Sequence, residues 1–211
     1  MKIYCALALT VLALCVYQRV LGADNSDRVP ADSAAMQGLK QLQESVETMQ
    51  SRSKSVPAPE DLKRAKLERP LPVYAIDQEL LAHYTAEKNP KTILHNYGHL
   101  FLYPVSVDGQ AVAMLEISQN ESGQWSTGEI SFGHNYVTGV LNAAKKLAAE
   151  SAGQEIFSAQ DMFANIYLVG RIGGDDVVFV PVVDNGDFGL KSGTPVSARK
   201  LFATLSSKAI K

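Results

Sequence analysis

Residues 100–107 (LFLYPVSV), the pair Asp108-Gly109 and residues 110–117 (QAVAMLEI) decide the fold. Two largely apolar segments flank an Asp-Gly pair, which suits a two-residue type I′ turn because both central residues need a positive φ. The stretch therefore predicts a β-hairpin, and the rest of the domain can be worked out from it.

Further elements are predicted on both sides of this hairpin. They are a turn at 120–123 and a third strand at 124–132, a strand at 71–76, a helix at about 77–84, a helix at 135–151, a second hairpin at 163–172 and 177–183, and a final helix that starts near Ser197. The first three strands form an antiparallel meander. Together the elements predict an α+β fold in which two helices pack on an antiparallel sheet of about five or six strands.

The composition excludes several classes of protein. The 211 residues carry 20 basic and 22 acidic side chains, which gives a formal net charge of −2, and 46% of the residues are apolar. These values are typical of a globular protein and exclude collagenous, fully disordered and strongly basic chains. The basic residues form no stripe with interleaved aromatic residues, so nucleic acid is not expected as a partner.

The first 23 residues resemble a secretory signal peptide. Lys2 precedes a largely apolar run at 3–17, and the small residues Gly22 and Ala23 follow it. This is the order of regions in a cleaved leader, and the run is shorter than the roughly 20 residues of a membrane-spanning helix. We therefore expect an exported protein, in the periplasm or secreted, with no membrane span after cleavage. An uncleaved membrane anchor is the alternative.

Both cysteines, Cys5 and Cys15, lie inside the predicted signal peptide. The mature chain would therefore contain no disulfide and no cysteine-bound metal. Cys15 also leaves open a lipid attachment, as in bacterial lipoproteins, although Leu14 stands where those proteins have a small residue.

Residues 24–69 contain no aromatic residue and carry eight acidic and eight basic side chains. Such a segment cannot bury enough area to fold as an independent globule. Four apolar residues repeat at helical spacing: Leu39, Leu42, Val46 and Met49. We expect a helix over residues 32–52 as part of a stalk, followed by a proline-containing linker, with the α+β domain at 70–211. The stripe either packs on its own domain or associates with a partner helix, including a homodimer through residues 32–52.

The histidines offer one candidate metal-ligand pattern. His95 and His99 are four residues apart, but Gly98 and the strand that follows favour an extended backbone, which would separate the two imidazoles by roughly 13 Å. A metal site at His95, His99 and His134 is thus only an alternative. No cofactor is expected, because the sequence has no dinucleotide or phosphate-binding loop and no Gly-x-Ser-x-Gly elbow.

Four aromatic residues are candidates for a binding surface: Tyr97, Tyr103, Trp125 and Tyr136. Glu116 and Glu129 could support acid–base chemistry, although strands commonly carry exposed glutamates. Asn120-Glu121-Ser122 is a glycosylation sequon in a predicted turn, and it would be used only in a eukaryotic secretory pathway.

These observations favour a protein-binding or assembly module without catalytic activity, which would recognise a protein or peptide on a sheet edge or an aromatic patch. Two alternatives belong to other classes. One is a metal-dependent hydrolase that uses the three histidines above, and the other is a secreted inhibitor that presents the loop at residues 184–196.

Overall fold

The computed structural model describes residues 25–50, 57–150, 153–161 and 164–209. The predicted signal peptide and most of the linker lie outside these residues. The helices are α1 (Asn25–Gln50), α2 (Pro59–Leu62), α3 (Gln78–Ala82), α4 (His134–Glu150) and α5 (Ala198–Ala209). The strands are β1 (Lys66–Leu67), β2 (Leu71–Ile76), β3 (Leu94–Val107), β4 (Gln110–Gln119), β5 (Trp125–Ser131), β6 (Glu155–Asp161), β7 (Ile166–Gly173), β8 (Asp176–Pro181) and β9 (Val196–Ser197).

All nine strands belong to one mixed sheet in the order β5-β4-β3-β2-β6-β7-β8-β9, with β1 paired beside β2 on β3. The α+β class is confirmed, but the sheet is larger than the five or six strands that the sequence predicts. It is also not purely antiparallel, because β2 and β6 run parallel from Val73 opposite Ser158 to Ala75 opposite Gln160. The parallel pair arises because α4 carries the chain across one face before β6 begins.

Several local predictions are confirmed. Asp108 and Gly109 have φ values of 51° and 81°, as the hairpin turn between β3 and β4 requires. The helix expected at 135–151 is α4, and Asp77 caps α3 by accepting a hydrogen bond from the Leu80 amide at 2.9 Å.

Three strands, β6, β1 and β9, are not predicted from the sequence. In β6 only Ile156 and Phe157 are large apolar residues, and a Ser-Ala-Gln-Asp run follows them. This composition favours no strand by itself. The strand β6 pairs with β2 on one side and with β7 on the other. Its extended conformation therefore depends on these neighbouring strands more than on the preferences of its own residues.

Helices cover both faces of the sheet. On one face α4 packs through Val140, Leu141 and Leu147 on residues of β2, β3, β6, β7 and β8. On the other face α3 and α5 cover β2, β6, β7 and β8, with Phe202 of α5 at the centre of an aromatic cluster. The same face of β3, β4 and β5 is covered by α1. Apolar residues on alternating sides of each strand therefore have a helix to pack against.

The predicted stalk helix, α1, packs on its own sheet. Leu42 and Val46 from the apolar stripe are buried, with 0% and 2% of their surface exposed. A Cβ at Gly38 would lie 2.3 Å from Thr127 Oγ1, so glycine allows α1 to approach β5 closely. The Tyr103 hydroxyl of β3 also donates a hydrogen bond to Asp32 Oδ1 at 2.7 Å.

Packing therefore begins well before residue 70, where the sequence places the start of the domain. Within the segment expected to be stalk and linker, β1 pairs with β3, and the Glu68 amide donates to the Pro104 carbonyl at 2.8 Å. The reason is that β3, β4 and β5 have an apolar face that α1 removes from water. Of the two alternatives for the stripe, the structure shows the helix packed on its own domain.

Among the described residues, none of the helices combines the length and apolar character that crossing a bilayer requires.

Packing of α1 can be tested by truncating one side chain. Leu42→Ala should lower the free energy of unfolding by about 2–5 kcal/mol, because it leaves a cavity under α1. Met36, which is 66% exposed on the same helix, is the matched control. Met36→Ala should change the free energy of unfolding by less than about 0.5 kcal/mol. Urea denaturation measures both. Equal, small effects of the two substitutions would show that α1 does not pack on the sheet.

Candidate functional site

A cleft of about 450 Å³ lies on the face of the sheet that α4 covers, beside the first turn of that helix. It reaches across strands from β5 to β7. Its lining residues are Leu102, Met114, Glu116, Glu129, Ser131, Tyr136, Gln160, Tyr167 and Val183. Three apolar side chains, two carboxylates, two phenols, a hydroxyl and an amide therefore meet in one place, and none of the lining side chains that the structure describes is basic. A concave apolar site with a few converging polar groups is the usual form of a ligand site.

A β-bulge brings the two carboxylates of the cleft together. Leu115 pairs with Ile130 and Ile117 pairs with Thr127, so β5 has one residue more than β4 between these pairs. Gly128 and Glu129 of β5 thus lie opposite a single residue of β4, Glu116. Beyond this extra residue, the side chains of β5 that would have faced one side of the sheet face the other. Trp125 and Thr127 contact the α1 side, whereas Glu129 and Ser131 line the cleft on the other face.

Glu116, the β4 residue at the bulge, lies next to Glu129. A Cβ at Gly128 would come within 3.3 Å of Glu116 Oε1, so a larger residue there would press on this carboxylate. Burial, and then the charge of Glu129, raise the pKa of Glu116 above its ordinary value of 4.5. Ser131 Oγ donates a hydrogen bond to Glu129 Oε1 at 3.0 Å. Two acids thus share one small site, and the charge of Glu129 makes ionisation of Glu116 less favourable.

Two tyrosines form an aromatic wall of the cleft. Tyr136 lies in the first turn of α4 and Tyr167 on β7, and their ring centroids are 5.4 Å apart at an interplanar angle of 73°. Burial, followed by the proximity of Tyr167, Glu116 and Glu129, raises the pKa of Tyr136 to about 12. The Tyr136 hydroxyl therefore stays neutral, and it remains a hydrogen-bond donor at physiological pH.

This combination of groups suits a cation. Carboxylates attract positive charge and accept its hydrogen bonds, and the faces of aromatic rings attract cations as well. The apolar floor of Leu102, Met114 and Val183 would contact an alkyl chain. The cleft can therefore hold the head and the stem of a basic side chain.

The aromatic residues that the sequence singles out are not gathered in one place. Only Tyr136 lines the cleft. Tyr103 is buried on the opposite face beneath α1, and Trp125 packs against Phe101 on that face with their centroids 5.6 Å apart. Tyr97 is exposed near the start of β3.

The histidine pair lies on an irregular part of β3. Pro72 of β2 pairs with Phe101 and Tyr74 pairs with Asn96, so four residues of β3 stand where β2 has one. Tyr97 lies between His95 and His99, with its centroid 6.0 Å from each imidazole.

The third candidate ligand, His134, is the first residue of α4, and its side chain lies outside the described positions. Within the part of the chain that the structure describes, no three His, Cys, Asp or Glu side chains are placed to hold a metal ion.

The glycosylation sequon lies in an exposed turn between β4 and β5. Asn120 Oδ1 accepts hydrogen bonds from the Ser122 amide at 3.1 Å and from the Gln124 amide at 2.9 Å. The turn position agrees with the sequence, and whether the sequon is used stays a prediction.

Sequence reasoning identifies part of the cleft and misses the rest. The sequence indicates Glu116 and Glu129 for acid–base chemistry and Tyr136 for an aromatic binding surface, but it does not join them in one site. It does not indicate Ser131, Gln160 and Tyr167, because they lie on three strands and only the sheet order brings them near α4. The alternation within each strand could have placed them on a face, but not next to one another.

No protein-family model, no curated protein and no solved structure matches this chain.

The raised pKa of Glu116 has a consequence for stability. Because the folded state holds this proton more tightly than the unfolded chain, Glu116 makes folding more favourable as the pH falls through its raised pKa towards 4.5. In urea unfolding from pH 7.5 to 4.5, the free energy of unfolding of wild type should therefore rise relative to that of Glu116→Gln as the pH falls. Glu121→Gln, in the exposed turn, is the control. Parallel pH profiles for wild type and Glu116→Gln would contradict the shift.

Repulsion between the two acids can be measured separately. Glu129→Gln removes one of two like charges on neighbouring strands and keeps a carbonyl that can accept from Ser131. The free energy of unfolding at pH 7 should rise by about 0.2–1 kcal/mol, and Glu121→Gln should leave it nearly unchanged. A loss of stability in Glu129→Gln would show that the carboxylate stabilises the unliganded fold.

Proposed function

We propose that this chain is an exported protein-binding module that holds a basic side chain of its partner in the cleft between the glutamate pair and the two tyrosines. Export is the expectation from residues 1–23, with the periplasm as the expected compartment. The observation that carries the proposal is the juxtaposition of Glu116 and Glu129 with Tyr136 and Tyr167 in one cleft.

Electrostatics supports a cationic ligand. Glu116 is partly buried beside a second carboxylate, and among the described side chains no basic residue lines the cleft to neutralise the pair. A bound ammonium or guanidinium group would supply that charge and would replace repulsion with two attractive interactions. Such interactions strengthen as water leaves a partly buried site.

The shape of the cleft supports a side chain rather than a free ion. A lysine or arginine has three or four methylenes before its charged group, and these can pack on Leu102, Met114 and Val183. The charged end would then lie between the carboxylates and the tyrosine rings. A protein or peptide is the source of such a group that agrees with the binding role expected from the sequence.

The other two candidate functions have less support. The histidine-based hydrolase needs His95, His99 and His134 to converge, but Tyr97 separates the first two, and neither lines the cleft. The inhibitor-type role depends on the loop at residues 184–196, and no observation favours it over the cleft. A homodimer through residues 32–52 would need an apolar stripe that α1 already packs on its own sheet.

Binding can be tested with fragments of basic side chains. Titration of the purified protein with n-butylammonium and n-butylguanidinium should shift the NMR signals of the Tyr136 and Tyr167 amides in a saturable way, and n-butanol should not. The Glu116→Gln/Glu129→Gln double variant should bind about tenfold more weakly or worse, because it loses charge-assisted hydrogen bonds. Affinity should also fall as the pH is lowered, since Glu116 becomes protonated.

The Glu121→Gln variant is the matched control for the loss of a glutamate, because this residue lies in the exposed turn outside the cleft. It should bind both cations like wild type. Equal affinity of the three proteins for these probes, or equal shifts with n-butanol, would show that the cleft does not recognise a cation.

A further inference from the structure

The strand β5 forms one end of the sheet, and its outer edge is open in the structure. Its seven residues span about 24 Å at the usual rise per residue. Within the described ranges, no strand pairs with this outer edge. The opposite end is different, because β9 has only two residues and α5 begins immediately after it.

The sequence of this edge lacks two of the usual protections against pairing. Exposed edge strands commonly carry lysine or proline, or are very short. The strand Trp-Ser-Thr-Gly-Glu-Ile-Ser has neither lysine nor proline, and its one charged residue, Glu129, lines the cleft. The strand does carry two other protective features, its bulge opposite β4 and the charge of Glu129, and a basic residue on an added strand would offset that charge. An edge of this length with no strand paired to it in the described ranges is a template for another strand.

The open edge and the cleft are continuous. Glu129 and Ser131 belong to β5 and also line the cleft. A strand added at the outer edge would present alternate side chains on the cleft face, at about 4.5–5.5 Å from the β5 residues opposite them. A lysine or arginine beside Glu129 could therefore extend into the cleft, where Glu116 lies one strand further in.

From this arrangement we infer that an extended segment of a partner protein adds to the outer edge of β5 as a further strand and inserts one lysine or arginine into the cleft. The inference rests on the proposed function and adds to it the mode of docking. Backbone hydrogen bonds to β5 would give affinity that does not depend on the partner's sequence. The basic side chain in the cleft would give specificity for partners that carry a lysine or arginine at that position.

Charge complementarity favours a basic partner over a second copy of this chain. Pairing of two β5 edges would bring together two copies of Glu129, and the strand contains no basic residue to oppose them. A basic segment instead places its charge between Glu116 and Glu129. On the other face of β5, α1 already covers Trp125 and Ile130.

The first experiment selects a binding strand. Phage-displayed heptapeptides with a fixed central lysine and random flanks are selected on the purified protein, beside a library with a fixed central glutamine. The lysine library should yield binders that lose about tenfold or more in affinity for Glu116→Gln/Glu129→Gln and bind Glu121→Gln like wild type. Failure to enrich any lysine peptide would overturn the docking mode.

The second experiment tests strand addition without altering the protein. Successive amides of a strand point to opposite edges, so two versions of the selected peptide are made with N-methyl groups on alternate residues, one set in each version. One version should lose about tenfold or more in affinity because its bonds to β5 are blocked, whereas the other should bind nearly like the parent. Equal binding of both versions would overturn strand addition.

These outcomes separate the two proposals. If n-butylammonium binds but lysine peptides do not, or if both methylated peptides bind alike, the docking mode is wrong and cation recognition in the cleft stands. If neither the fragments nor the peptides bind, both proposals fall. Sedimentation of the protein alone tests the competing occupant, because a dimer that forms without peptide and that Ser126→Lys abolishes would assign the edge to a second copy.

Discussion

Parallel pairing between β2 and β6 joins two antiparallel groups of strands into one sheet. The chain completes β3, β4 and β5 on one side of β2, and then α4 carries it to β6 on the other side. Because a parallel connection must cross a face of the sheet, α4 is held against the central strands. The first turn of α4 then lies near the strands β3, β4 and β5. The part of the sheet beside this first turn is not covered by the helix, and the cleft lies there. Both the core and the cleft therefore depend on this one pairing.

Coverage of the opposite face explains why the N-terminal helix belongs to the domain. The strands β3, β4 and β5 present buried side chains such as Val105, Leu115 and Ile117, which need a partner. Small residues of α1 allow close approach to β5, and the hydrogen bond between Tyr103 and Asp32 fixes a polar group that would otherwise be buried alone. The helix α1 has no aromatic residue of its own, but it is ordered by packing on a face of the sheet that contains aromatic residues.

The bulge in β5 connects stability with the proposed binding role. It places Glu116 and Glu129 side by side, where their charges repel, and burial disfavours the ionised form of Glu116 further. We expect such an arrangement to lower the stability of the unliganded protein. Unfavourable local electrostatics in a cleft is typical of functional sites, because a ligand of opposite charge can offset it.

The sequence by itself determined the local elements: the Asp108-Gly109 turn, the capped helix after Asp77, α4 and the α+β class. These depend on contacts between residues that are close in the chain, so short patterns predict them. Tertiary structure alone decided the parallel β2–β6 pair, the packing of α1 and the cleft that unites Glu116, Glu129, Tyr136 and Tyr167. Each of these depends on the order of strands and on which face a residue occupies. A single added residue, as at Gly128, reverses that face along a strand, and the pattern of side chains does not show where it occurs.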